Sequence, residues 1–442
     1  MKGIEKLSEL VKVPTVSNID PALEDNSAFE RIPGLLAELF PSAHKAMERE
    51  LIGDRAIVYK WEGRDSSVKP VLCMAHYDVV PAGDESKWEK PPFSGEISGG
   101  RIYGRGSLDD KGMLAAWMEA ADKLARSGFK PERTVYFAFG GDEEVIGNRG
   151  AAKTAAVFKE RGITFDLVLD EGGAIVSGQM DKFTDKPVAL LGTSEKGYLT
   201  IKITAEGMPG HSSAPPEHTA IGRLSRVLAA LEAEPFPAKL TAVPKKMLSV
   251  LGNEAGGVRG FFLNHPGLIK SSIIKGMLKS PSQAGMVRTT TALTVVNGGE
   301  KANVLPDTAY ALVNFRILPG ESVDSTVNRV KEIILKTSGN GVSVEVITGN
   351  EPVESSPLEG DVWDFIESKI KNFWPDTVVV PFLVTATTDS RHYSIVSDNI
   401  YRFIPMQITD KEIKGIHAFN ESVPVDQWER MVDFLESVIS WN

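Results

Sequence analysis

Two histidines and several acidic residues are spread over most of the chain. Most of them follow apolar, strand-like segments and lie beside glycine. They are His76 and Asp78 in VLCMAHYDVV, Asp109 in GRGSLDDKG, Glu143 and Glu144 in FGGDEEVIG, Glu171 in LVLDEGG, and His417 in KGIHAFNE. Together they make a ligand set for two divalent metal ions. A hydrolytic two-metal site holds its ions roughly 3.5–4 Å apart and activates a water between them. One carboxylate must bridge, and each ion needs further imidazole or carboxylate donors. Asp109 suits the bridge. His76 with Glu171 would complete one ion, and Glu144 with His417 the other. Three carboxylates and a bridging hydroxide balance the charge of two divalent ions. Donors of nitrogen and oxygen, without sulfur, suit zinc, with manganese or cobalt as alternatives.

Two further acids have other tasks. Asp78 is two residues after His76, so on a strand both side chains face the same way. It can therefore orient the imidazole without touching the metal. Glu143 precedes a ligand but points elsewhere, which leaves it free to act as general base. Each cluster has an ordinary explanation when taken alone. An HxD on a strand is more often structural, a DEE run is usually a solvated turn, and a DDK triplet is usually surface charge. Their joint occurrence at strand ends is harder to explain so, because open α/β sheets place their sites there.

The chain resembles the dizinc metallopeptidases that include carboxypeptidase S, aminoacylase-1, the G-type glutamate carboxypeptidase and the carnosine dipeptidases. The resemblance covers nearly the whole chain and is closest to the carboxypeptidase S branch. It is carried by WEKPPFSGEISGGRIYGRGSLDDKG, DEEVIGNRGA, LDEGG, GHSSAPPEHTAIG, NVLP, TDSRHY and GIHAFNE. It implies a zinc-exopeptidase-like catalytic domain, with His76, Asp109, Glu144 and His417 as ligands and Glu143 as base. It also implies a cis peptide after Asp109. For the remaining ligand, Glu171 matches the family position better than Asp170.

The chain has 442 residues and a formal charge of −10. That length accommodates two or three domains, and the acidity argues against nucleic acid as a partner. A single cysteine, Cys73, excludes an internal disulfide framework. The opening MKGIEKLSELVKVP reads as an amphipathic helix rather than a signal peptide. No apolar run is long enough to span a bilayer, so no membrane partner is expected and the cytoplasm is the default location.

Residues 1–195 alternate helix and strand, with helices near 25–40 and 111–127 and strands near 55–62, 70–77, 133–139 and 166–170. The run MLAAWMEAADKLA has a helical apolar period. This predicts an α/β catalytic domain with a largely parallel sheet, completed by residues 351–442, which deliver His417. Residues 196–350 read β-α-β-β-α-β, the order of a ferredoxin-like α+β unit. An irregular insert rich in Gly, Pro and Lys is expected near 235–285. The inserted unit would act as a lid and dimerisation domain.

That unit carries His211 in GMPGHSSAPP and Asn303 in NVLP. By residue type alone, His211 caps its own turn. The resemblance implies instead that it reaches an active site, often the partner subunit's, and polarises the scissile carbonyl. Asn303 is either a turn former or a substrate contact. In TATTDSRHY, the planar fork of Arg391 could hold a carboxylate. The resemblance assigns it the substrate's terminal carboxylate, with Asp389 as its buttress. Arg316 is a weaker candidate for the same task.

The expected function is hydrolysis of the amide bond before a C-terminal amino acid in short peptides. The alternative is an N-acyl amino acid amidohydrolase, which shares every catalytic step. Expected partners are a short peptide or N-acyl amino acid and a second copy of the chain in a homodimer. A silent metal-binding scaffold would have lost a ligand or the base. A two-carboxylate glycosidase would leave both histidines unexplained.

Overall fold

The computed structural model describes residues 1–441. It divides into two compact units. One contains Met1–Thr193, Ser356–Phe382 and the residues from Thr388 on, and the other contains Ser194–Ser355 with Leu383–Thr387.

The first unit is organised by a ten-stranded sheet. Its centre is four parallel strands in the order Val135–Gly140, Val71–His76, Leu167–Asp170 and Ile400–Arg402. All four are buried along their whole length and read as apolar runs up to their last residues. Such runs require cover on both faces of the sheet. Antiparallel partners flank the centre: Ala56–Trp61 on one side and Val188–Glu195 on the other.

The helix Lys111–Arg126 covers one face. It buries Met113, Leu114, Trp117, Met118, Ala121 and Leu124, and the Trp117 indole donates to the Met74 carbonyl at 3.0 Å. Lys123 and Arg126 lie in its last turn, where cations complement the helix dipole. Truncating Trp117 to alanine would cost about 3–5 kcal/mol. The helices Gly3–Val11 and Val425–Ile439 pack against it, so both ends of the chain contribute to one core.

The second unit is a four-stranded antiparallel sheet in the order Thr290–Asn297, Thr308–Ile317, Gly197–Glu206, Val342–Asn350. This is the ferredoxin-like arrangement. The alternation in YLTIKITAE turns Leu199, Ile201, Ile203 and Ala205 to one face, where the helices Ala220–Ala233 and Val323–Ser338 cover them. On the other face the Arg316 guanidinium lies 4.8 Å from the centre of the Tyr198 ring. Arg316 thus stacks on an aromatic ring of its own unit.

One expectation is corrected. The stretch near 235–285 is not irregular. It contains the helices Ala242–Ala255, Gly257–Asn264, Lys270–Met277 and Pro281–Gly285. Three of these helices have eight residues or fewer, too short to show a period, but Ala242–Ala255 carries a helical apolar stripe in Val243, Met247, Leu248 and Leu251. Among the described residues, no helix is long and apolar enough to cross a membrane.

Candidate metal centre

The parallel strands bring their carboxyl ends side by side. His76 is the last residue of Val71–His76 and pairs in register with Gly140. The neighbouring strand runs on through Asp142 into the short helical turn Glu143–Val145. On the other side, Leu167–Asp170 ends one residue before Glu171. Asp109 enters from the loop before the helix Lys111–Arg126, across a cis peptide to Asp110. His417 follows the helix Asp410–Gly415 and has a left-handed backbone, with φ of 56°.

These side chains converge. Asp109 Oδ1 is 3.0 Å from His76 Nε2, and Asp109 Oδ2 is 3.1 Å from His417 Nε2. Glu171 Oε1 lies 3.4 Å from the same nitrogen of His76. Glu144 lies 3.1 Å from His417 Nε2. His76, Glu143 and Glu171 can each place a ligand atom within 4.8 Å of the others, and so can His76, Asp109 and Glu144. Asp170 turns away and accepts the Ser390 N–H at 2.9 Å.

The His76 ring is oriented from its far side. Its Nδ1 is 3.0 Å from the Asp78 carbonyl oxygen and 3.3 Å from Asp78 Oδ1. Acceptors there favour a proton on Nδ1, so Nε2 is the atom presented to Asp109 and Glu171. Facing two carboxylates, that nitrogen needs either a second proton or a cation in its place. Burial opposes charge on the ring, but Asp109, Asp78 and Glu171 outweigh it and raise its proton affinity well above the ordinary value. The donor set therefore suits metal ions. Asp78 does more than orient the ring. Its oxygens also accept the main-chain N–H groups of Glu143 and Glu144, both at 3.1 Å, and the Ser17 hydroxyl at 2.7 Å. One buried carboxylate thus positions both the histidine and the acidic turn.

Electrostatics point the same way. Burial pushes the Glu143 carboxyl well above its ordinary range, and the neighbouring Glu144, Asp389 and Glu171 add to the effect. Burial and then repulsion from Asp109 raise Glu144, and raise Glu171 to about 8. Hydrogen bonds to Asp109 and Glu144 lift His417 to about 10. Burial disfavours charge on Asp109, but its two imidazole partners outweigh this and hold its carboxyl low. Four acids around two imidazoles form a cluster short of positive charge, which two divalent cations would supply.

Glu421 was not singled out from the sequence, although it stands in the same GIHAFNE motif as His417. Its Oε1 accepts the N–H of Leu108 at 2.8 Å and of Asp109 at 3.1 Å, while Oε2 pairs with Arg105 at 2.7 Å.

The TATTDSRHY segment belongs to the same unit, from Thr388 on. Arg391 donates to the main-chain carbonyls of Thr388 at 3.0 Å and Ile146 at 2.5 Å. The expected buttress is not formed. Asp389 is buried, and neither of its oxygens has a hydrogen-bond partner among the described residues. Arg391 is held by backbone instead, because Asp389 turns towards Gly140 and Gly147. A Cβ at either glycine would come within 2.2 Å of the Asp389 carboxylate.

His211 and Asn303 lie together in the other unit. The pairs Gly210–Leu305 and His211–Val304 form a two-stranded ladder, and the Asn303 carbonyl accepts the Ser212 N–H at 3.1 Å. His211 Nδ1 accepts the Ser213 N–H at 3.1 Å, so the neutral ring carries its proton on Nε2. The histidine caps its own turn and still presents a donor.

Comparison with known proteins follows this geometry. Residues 72–441 match the model of "Peptidase family M20/M25/M40". A probable carboxypeptidase S-like protein of Dictyostelium discoideum is 35% identical over 446 residues, covering 99% of this chain and 85% of its own length. The mouse (Mus musculus) N-fatty-acyl-amino acid synthase/hydrolase PM20D1 is 34% identical, covering 98% of this chain and 86% of its own length. Among solved structures, an M20 family metallo-carboxypeptidase from Sulfolobus solfataricus superposes with a TM-score of 0.74 at 19% identity, over 100% of this chain and 99% of that one. The chain belongs to peptidase family M20/M25/M40 and is a metal-dependent hydrolase.

Proposed function

We propose that this hydrolase removes the C-terminal amino acid from short peptides by means of a two-metal centre. The carrying observation is Asp109, which presents one oxygen to each of two histidine-centred clusters. His76 with Glu171 would hold one ion, Glu144 with His417 the other, and Asp109 would bridge. Imidazole nitrogen combined with carboxylate oxygen supports zinc, with manganese or cobalt as alternatives. When bound, the ions would polarise the scissile carbonyl and make water nucleophilic at neutral pH.

The chain's own residues would do the rest. Glu143 takes a proton from the attacking water and returns it to the leaving amine, and its raised affinity for protons suits both steps. His211 Nε2–H donates to the developing oxyanion, acting across a homodimer formed by the second unit. That unit's outer strands, Thr290–Asn297 and Val342–Asn350, carry exposed Val295, Val296, Val346 and Ile347, which supports pairing with a second copy. Asn303, next to His211, would contact the substrate. Arg391 would take the substrate's terminal carboxylate, with Asp389 setting the field around it. A cytoplasmic location is proposed alongside, on a composition without a disulfide framework.

A second reading, hydrolysis of N-acyl amino acids, is favoured by the name of the mouse relative. Both substrates end in a free carboxylate beside the scissile amide. They differ only in the acyl group. The deciding experiment is a mass-spectrometric panel with metal-loaded protein, comparing N-blocked dipeptides, free dipeptides, acetyl amino acids and long-chain N-acyl amino acids. Peptides should turn over fastest. A preference for long-chain acyl amino acids would replace the first reading by the second, and no turnover of any amide would overturn both.

A further inference from the structure

Between Thr241 and Gly285 the chain carries five lysines and one arginine against a single glutamate, although the whole chain is acidic. This segment folds as short helices. Gly256 and Gly257 both have left-handed backbones, which lets the helices Ala242–Ala255 and Gly257–Asn264 meet in a sharp reversal. The two helices then cross closely. A Cβ at Gly260 would lie 2.4 Å from the Gly252 carbonyl oxygen, and Leu263 packs onto Gly252.

The inner face of Gly257–Asn264, with Gly260 and Leu263, is thus occupied. Its outer face is also apolar. Val258, Phe261 and Phe262 follow the spacing of one helical stripe and are 76%, 53% and 37% exposed. Leu268, four residues past this helix, is 68% exposed. Phe261 and Phe262 pack edge to face, 5.6 Å between ring centres, so the patch is preformed. Arg259, Lys270, Lys275 and Lys279 are exposed in the same segment.

A helix apolar on both faces, with its outer side exposed, lacks a partner. Exposed aromatics on a segment that also carries exposed lysines are the composition of an interfacial helix, whose apolar side enters the boundary between headgroups and acyl chains. A second copy is a poor occupant, because a two-fold contact would bring the same cationic patch against itself. We propose that the segment Thr241–Gly285 docks this enzyme on an anionic lipid surface, with Val258, Phe261, Phe262 and Leu268 inserting and the lysines facing acidic headgroups. This docking is independent of which amide is cleaved. It also departs from the expectation of no membrane partner, which considered only spanning segments.

The test is flotation of the full chain with vesicles of phosphatidylcholine alone or mixed with phosphatidylglycerol, at low and high salt. Binding should require phosphatidylglycerol and weaken as salt rises. Phe261→Ser with Phe262→Ser should lower the partition at least about tenfold. Lys270→Gln with Lys275→Gln, which leaves the apolar patch intact, should lower it about fivefold for each charge removed. Circular dichroism and thermal melting establish that each variant is folded. Failure to bind the mixed vesicles, or binding unaffected by the lysine pair, would overturn the proposal. So would lipid-free self-association, seen by light scattering, that disappears in the phenylalanine variant, since the occupant would then be a second copy.

Discussion

Glu421 holds Asp109 by its main chain, taking the Asp109 N–H on Oε1 at 3.1 Å while Arg105 neutralises its other oxygen. The proposed bridging carboxylate is therefore aimed by a residue that lies far along the chain. Supports of this kind are typically worth about 10–100-fold in metal affinity. Glu421→Gln should lose affinity in that range in competition with a chelator. A lowered melting temperature with unchanged affinity would mean that Glu421 serves the fold alone.

In the proposed mechanism the acidic turn separates two roles on adjacent residues. Glu143→Gln should retain both metals and lose several orders of magnitude in turnover, whereas Glu144→Gln should bind metal weakly. Metal content by elemental analysis and single-turnover rates measure the two properties separately. If Glu143→Gln sheds metal as readily as Glu144→Gln, Glu143 is a ligand rather than the base.

Arg391 is already tied to two backbone carbonyls, so in its proposed role it would meet the substrate preorganised. Arg391→Ala should cost about 2–4 kcal/mol in kcat/KM, the range for losing a buried charged partner. The wild-type enzyme should discriminate strongly against C-terminally amidated substrates. Equal rates on acid and amide would exclude Arg391 as the carboxylate site.

The proposed role of His211 in trans predicts complementation. Homodimers of His211→Ala and of Glu143→Ala should each be inactive. Random exchange between them should restore roughly a quarter of wild-type activity, through heterodimers with one intact composite site. Proven exchange without recovery would rule out action across the dimer.

A carboxylate away from the candidate metal centre should contribute to the response to acid. Glu24 is fully buried between Arg55 and Arg149, the latter at 2.8 Å. Burial works against its charge, but hydrogen bonds from Arg149 and Arg55 prevail and hold its carboxyl below 4.5. A depressed folded-state value means stability that is complete above the unfolded value and is lost as pH falls through the folded one. Glu24→Gln should therefore destabilise chelator-stripped protein by about 3 kcal/mol at neutral pH. The difference should shrink progressively below pH 4.5. A penalty of the same size in acid would show that packing, not charge, is what Glu24 supplies.

The clusters around His76, Glu143 and Glu171 were legible because each ends an apolar run, and parallel strands place such ends together. The ferredoxin-like order was legible from strict alternation, as in Leu199, Ile201 and Ile203. Other features depend on neighbours distant in sequence. The isolation of Asp389 follows from the approach of Gly140 and Gly147, which no local pattern records. The several duties of Asp78 require the DEE turn and Ser17 to meet it in space. Of the helices after Ala242, Ala242–Ala255 carries a legible stripe in Val243, Met247, Leu248 and Leu251, whereas Gly257–Asn264 is eight residues long and apolar on two sides, which erases the usual contrast between faces.

The strand Ile400–Arg402 lies between Leu167–Asp170 and Val188–Glu195 in the sheet. A ribosome therefore makes its two neighbours long before it makes the strand that joins them. Until then Leu167–Asp170 has an open edge of the kind that recruits foreign strands, beside a half-built candidate metal site that lacks His417. A truncated or stalled product would be both inert and adhesive. The nascent chain should depend on chaperones until Ile400–Arg402 is made and gain hydrolytic competence only once His417 has been added.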